Sequence, residues 1–192
     1  MKSVAKDVNI LIEIKKSKFY AYVYYVENEL DVKMHIDELK HKFSDATHIC
    51  WAYVLSSPRM EKACDDGEPD GTAGRPILEV IKKKELENVF VAVVRYFGGV
   101  KLGAGGLTRA YSGSAASVMD TCGISEYDLA YFYDEHISIS NSKNYLNMLE
   151  SSGATITNIE YGQDVHIKYY SFTKISDNYI ECKLFCRGEK WK

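Results

Sequence analysis

All three prolines of this chain fall between positions 58 and 76, and eight of its thirteen glycines fall between 67 and 106. Backbone geometry is therefore specified far more tightly here than a solvent-facing linker requires. The same stretch brackets the longest purely apolar run, Val89–Val94. With its flanks that run reads as a strand over Val89–Phe97, of the kind buried on both faces. After Gly98 and Gly99, the apolar or small residues Leu107, Ala110, Tyr111, Ser114, Ala115, Val118, Met119 and Cys122 recur at helical spacing, and Gly123 stands where a C-cap belongs. A strand, a glycine loop and a helix in that order is the unit around which the rest must fold.

The chain opens with two strand-like segments, Val8–Ile14 and Phe19–Val26, joined by a turn at Lys15–Lys18. Val32, His35, Ile36, Leu39 and Phe43 then mark one apolar face of a helix over 29–43, and His48–Leu55 reads as a strand. A helix runs from about Pro76 to Lys84, where proline suits a first turn that has no use for its N–H. A domain boundary falls at 124–126. Beyond it come a strand (Ala130–Ser140), a helix with Tyr145, Leu146 and Leu149 on one face that ends at Gly153, and strands at Thr155–Tyr161 and Val165–Phe172. That β-α-β-β order is most of a ferredoxin-like unit. Its closing helix and strand would have to come from Thr173–Lys192, which is short and weakly patterned, so the second domain reads as incomplete or variant.

With 192 residues, 46% apolar and 27% charged, the chain is neither disordered nor collagenous. No apolar run could span a bilayer, and Asp7 and Glu13 interrupt any signal-like segment, so neither export nor membrane insertion is expected. Five cysteines, an odd number without a regular framework, point to free thiols in a reducing, cytoplasmic setting. Residues 1–125 carry 17 basic and 17 acidic side chains and residues 126–192 carry 7 and 10, which gives no support to whole-protein polybasic binding of nucleic acid.

Asp65, Asp66, Glu68 and Asp70 lie within six positions, and such carboxylates repel one another unless a cation, an arginine or backbone N–H groups meet them. A site for Mg²⁺ or Ca²⁺ is one reading. The other is a turn whose carboxylates cap the following helix and hold Arg95, with Asp65 or Asp66 as the preferred partner. An EF-hand is rejected, because its twelfth position would be Ile77 rather than glutamate.

The loop Gly98, Gly99, Lys101, Gly103, Gly105 and Gly106 opens a helix, and free N–H groups at a positive dipole end suit an anion, phosphate above all. Neither the P-loop nor the dinucleotide fingerprint is present, and the glycines equally suit close packing of the helix on the sheet. Arg95 and Arg109 would add fixed positive charge and Lys101 a mobile one. His48 with Cys50 imitates a nucleophilic pair but lacks a third orienting group, so His48 reads as a structural or binding residue. Cys182 and Cys186, on a possible terminal helix, have no second pair to complete a zinc site. His35, His41, His136 and His166 form no cluster in sequence. Fifteen tyrosines are compatible with base stacking, though half-buried strand positions account for them as well.

Three blocks taken together are more specific than any of these motifs. They are Ala46-Thr47-His48-x-Cys50-x-Ala52, then Asp65-Asp66-Gly67-Glu68-Pro69-x-Gly71-Thr72-Ala73-Gly74-x-Pro76, then Val94-Arg95-Tyr96-Phe97-Gly98-Gly99-x-x-Leu102-Gly103-x-Gly105-Gly106-Leu107-x-Arg109-Ala110-Tyr111. With them the sequence resembles the IMPACT/YigZ family in its bacterial-type, two-domain form. The resemblance implies an α+β protein. Residues 1–125 would form an α/β layer of the ribosomal protein S5 domain 2-like fold, and residues 126–192 a ferredoxin-like domain similar to those of elongation factor G.

Longer members of the family act in translational control through an additional N-terminal domain, a mechanism that does not transfer to this chain. What transfers is an expectation: a non-enzymatic, cytoplasmic, translation-associated module that binds RNA, the ribosome or a translation factor. His48, Asp65, Asp66, Glu68, Arg95, Gly98, Gly99, Lys101, Gly103, Gly105, Gly106 and Arg109 are its candidate binding residues. No catalytic residue, metal ligand or cofactor is assigned, no membrane contact is expected, and the sequence leaves the oligomeric state open. The rival expectation is a Mg²⁺-dependent enzyme acting on a phosphorylated small molecule or phosphodiester, with Asp65, Asp66 and Glu68 on the metal and the glycine loop on the phosphate. A module that binds only protein is the third.

Overall fold

The computed structural model describes residues 1–186 and divides into two compact units, Met1–Ser125 and a second beginning at Glu126. The first contains β1 (Lys2–Val4), β2 (Val8–Ile14), β3 (Ser17–Tyr25), α1 (Glu29–Lys42), β4 (His48–Ser56), β5 (Arg59–Cys64), α2 (Gly74–Lys83), β6 (Val89–Tyr96) and α3 (Ala104–Thr121). Its main sheet has the order β2-β3-β6-β4-β5, with every pair antiparallel.

The central strand β6 explains its own sequence. Val89, Val91 and Val93 are wholly buried in one core with Ile77 and Ile81 of α2 and Leu107, Ala110, Ala115 and Val118 of α3. Phe90, Ala92 and Val94 enter a second core on the opposite face, with Val32 and Leu39 of α1. A strand covered on both faces has no position for a polar alternation. Each Val or Phe so buried contributes about 1.5–3 kcal/mol. The alternation carries on to Arg95, which therefore enters the layer of α2 and α3.

The first turn is tighter than the sequence suggests. Only Lys15 and Lys16 connect β2 to β3, and both have positive φ, 47° and 66°, as a two-residue hairpin turn requires. Strand β5 is absent from the sequence reading because Arg59–Cys64 is a largely exposed edge strand with no apolar alternation. Helix α1 starts at a capping box formed by Asn28 and Asp31. Helix α2 begins two residues before Pro76, which keeps the proline inside the first turn.

The second unit is formed by β7 (Ile124–Ile137), α4 (Ile139–Ser151), β8 (Thr155–Tyr161), β9 (Val165–Ser171) and β10 (Glu181–Cys186). Strand β10 pairs with the first half of β7 and β9 with its second half, and β8 lies outside β9, all antiparallel. Leu149 of α4 packs on Tyr133, Val165, Ile167 and Tyr169. The stretch after Thr173, which reads as short and weakly patterned, does supply a closing strand, β10. It supplies no closing helix among the described residues: 172–180 contain none, and 187–192 lie outside them. Cys182 and Cys186 consequently sit on a strand rather than a helix, and four strand steps separate their Cα atoms by about 13 Å, too far for one zinc ion. Among the described residues no helix is long and apolar enough to cross a membrane.

Candidate functional site

The acidic turn satisfies its own charge. Asp65 Oδ1 accepts the N–H groups of Ala73 and Gly74 at 2.9 and 2.8 Å, and its Oδ2 accepts that of Gly71 at 2.9 Å. The carboxylate thereby caps the start of α2 from outside the helix. Asp66 turns toward β4, where its Oδ2 accepts the N–H of Ile49 at 2.6 Å. His48 Nδ1 donates to the Asp66 carbonyl at 2.7 Å, which leaves Nε2 3.9 Å from Glu68 Oε2.

Glu68, not Asp65 or Asp66, is the partner of Arg95. Its Oε1 lies 2.5 Å from Arg95 Nη1 and accepts Tyr111 Oη–H at 2.8 Å. This corrects the expected pairing. The physical reason is that both aspartates fold back onto nearby N–H groups, and only the residue two positions further reaches across to β6. The Arg95 guanidinium lies 5.6 Å from both the Phe19 and Phe97 ring centres, and its Nε has no hydrogen-bond partner.

A cleft of about 370 Å³ opens above this pair, lined among others by Thr47, His48, Arg95, Phe97, Lys101 and Gly103. The three motif blocks therefore meet in space. Gly103, at φ 69°, is the N-cap of α3 and offers no side chain to the helix terminus, whose first backbone bond is from Leu107 N to the Gly103 carbonyl. The N–H groups of Ala104, Gly105 and Gly106 precede that bond. Gly98 has a different role: a Cβ there would lie 2.0 Å from the Lys16 carbonyl carbon, so the hairpin tip and the loop can touch only because position 98 is glycine. Gly99, at φ 83°, stands in open space.

Arg109 does not join Lys101 in the cleft. Its guanidinium comes back to 3.8 Å from an ideal Cβ at Gly105, but it lines a separate depression between α2 and α3 with Lys83 and Lys84. Cys50 donates its thiol to the Asp65 carbonyl at 2.9 Å, and burial pushes that thiol's pKa up, as burial also does for the Tyr111 phenol. A buried, protonated thiol is not a nucleophile, so the His48–Cys50 pair has no catalytic arrangement. Phe97 and Tyr111, each essential to the geometry around Arg95, escaped the sequence reading as site residues. The signal available was their position inside the third motif block.

The domain family described as the Impact N-terminal domain matches residues 15–119, more than half of the chain. This chain belongs to the IMPACT family. The family member YvyE of Bacillus subtilis (strain 168) is 37% identical over 171 residues, which cover 88% of this chain and 79% of YvyE. YigZ of Escherichia coli (strain K12) is 37% identical over 112 residues, but the match spans 57% of this chain and only 55% of YigZ. A crystal structure described as that of a hypothetical protein aligns with a TM-score of 0.65 at 27% identity, over 88% of this chain and 84% of that one. In this IMPACT-family chain the matched region contains all twelve candidate residues.

Proposed function

We propose that this IMPACT-family chain is a non-enzymatic, cytoplasmic binding module of the translation apparatus, and that its first unit holds a phosphate of RNA in the cleft at the start of α3. The observation that carries the reading is that the uncapped α3 terminus at Gly103 and the side chain of Lys101 line one cleft, above the Arg95–Glu68 pair. Helix N-terminal N–H groups and a nearby cation are the usual chemistry of phosphate contact. Family membership supports the translational setting. The second unit we read as a ferredoxin-like sheet with one helix, α4, among the described residues.

The carboxylates that a Mg²⁺-dependent enzyme would need are engaged by backbone N–H groups of the turn and of β4 and by Arg95, and no observation favours that second reading. The test is binding of short single-stranded RNA and of ribosomes across a salt series. Lys101→Ala should weaken binding and reduce the salt slope by about one, whereas Arg109→Ala, outside the cleft, should leave both close to those of the parent. Unchanged binding by Lys101→Ala would sink the assignment.

A further inference from the structure

His136 and His166 are far apart in sequence, yet the pairing of β7 with β9 sets them directly opposite each other. Their rings stack at 4.3 Å with planes 9° apart. The β8–β9 pairing places Glu160 opposite His166 on the other side, so Glu160, His166 and His136 form one row across three strands. Asp134, two residues before His136, points to the same face. His166 Nε2 contacts Asp134 Oδ1, and its Nδ1 lies 3.8 Å from Glu160 Oε2. His136 Nδ1 lies 3.1 Å from Asp164 Oδ2. The opposite face of the sheet packs Tyr133, Val165, Ile167 and Tyr169 under α4, which fixes the strands that carry these groups.

The exposed His136–Asp164 pair adds little stability, the His166–Asp134 contact is part-buried, and two stacked imidazoles cannot both be charged without repulsion. With neutral rings, three carboxylates face one cation, Lys168, whose Nζ is 3.5 Å from Asp134 Oδ2. The site therefore has an excess of negative charge and two imidazole nitrogens to offer. We propose that Asp134, His136 and His166 bind a divalent transition metal of the zinc type, with Asp164 behind His136 as its orienting partner.

One ligand atom from each of the three residues falls within 4.8 Å of the other two, the compass of a single ion after a small closure. Mixed imidazole and carboxylate donors suit Zn²⁺, Ni²⁺ or Co²⁺ rather than Mg²⁺ or Ca²⁺. A carboxylate on the far nitrogen of a ligating histidine is the usual outer-shell support. On binding, His166 takes the tautomer protonated at Nδ1, beside Glu160, and its Nε2 lone pair and Asp134 Oδ1 meet the metal. The His136 side chain, 60% exposed, turns out of the stack so that its lone pair meets the same ion, and water completes the tetrahedron.

The experiment uses the full chain freed of metal by a chelator. It is titrated with Co²⁺ at neutral pH under visible absorption, and with Zn²⁺ in a calorimeter. The expected result is one equivalent bound through nitrogen and oxygen, without the thiolate charge-transfer band that cysteine ligation would give. His136→Ala and His166→Ala should each weaken binding more than tenfold, and Asp164→Asn by about tenfold. Circular dichroism confirms that each variant is folded. Binding by a folded His136→Ala/His166→Ala double variant equal to that of the parent, or no binding by the parent, would overturn the proposal.

Discussion

Glu68 and Arg95 form an ion pair with an Oε1–Nη1 distance of 2.5 Å and side chains only 4% and 6% exposed. Removal of one partner leaves the other charged in a desolvated layer. Glu68→Ala should therefore cost about 3–5 kcal/mol, read as a lower urea midpoint. Simultaneous replacement of Glu68 by Leu and Arg95 by Met should restore much of that loss. A single variant within experimental error of the parent would mean that water reaches Arg95.

Two glycines should respond to alanine with opposite signs. Gly98→Ala places a Cβ on the Lys16 backbone and should destabilise strongly or block folding. Gly113 lies inside α3 with nothing within 4 Å of its ideal Cβ, so Gly113→Ala should stabilise by about 1 kcal/mol. Thermal unfolding of the two variants is the check.

Thiol reactivity should split by burial. Cys50 and Cys122 are buried with thiol pKa values raised by desolvation, whereas Cys64 and Cys182 are half-buried. An alkylating reagent at pH 8 should modify Cys64 and Cys182 in the native protein, and Cys50 and Cys122 only at the rate of unfolding. Peptide mass spectrometry over a time course separates the two classes.

Alkaline pH should unfold the chain through its tyrosines. Burial, with the Glu135 hydrogen bond second, pushes Tyr145 up to about 12, and the hydrogen bond to Asp45 does the same for Tyr96. Burial raises Tyr24, Tyr111 and Tyr169 as well. Above pH 10 the unfolded chain loses phenolic protons that the native state retains. Their contribution is therefore complete below about pH 10 and falls as pH rises through the native values. Phenolate absorption and loss of circular dichroism should rise together.

What the sequence disclosed follows from where the information is local. The run Val89–Val94 identified β6, and Gly123 and Gly153, at φ 68° and 74°, follow the ends of α3 and α4 as their positions suggested. Strand β5 was invisible because an exposed edge needs no apolar alternation. Lys15 and Lys16 adopt a left-handed turn without any of the residues that usually mark one. The choice of Glu68 over Asp65 for Arg95 depends on the path of the whole turn. It was settled by N–H groups six to nine positions downstream of Asp65, a relation that spacing alone does not encode. His136 and His166 met only through strand register, which no local pattern fixes.

The contact between Gly98 and Lys16 has a mechanical consequence. Gly98 N donates to Ser17 Oγ at 3.1 Å while the Lys16 backbone fills the space of the absent side chain, so loop and hairpin tip are latched without play. The hairpin's other strand, β2, is an outer edge of the sheet. Whatever settles against the glycine loop will thus also stiffen that edge, and slowed amide exchange along β2 would report occupancy of the cleft from the far side of the hairpin.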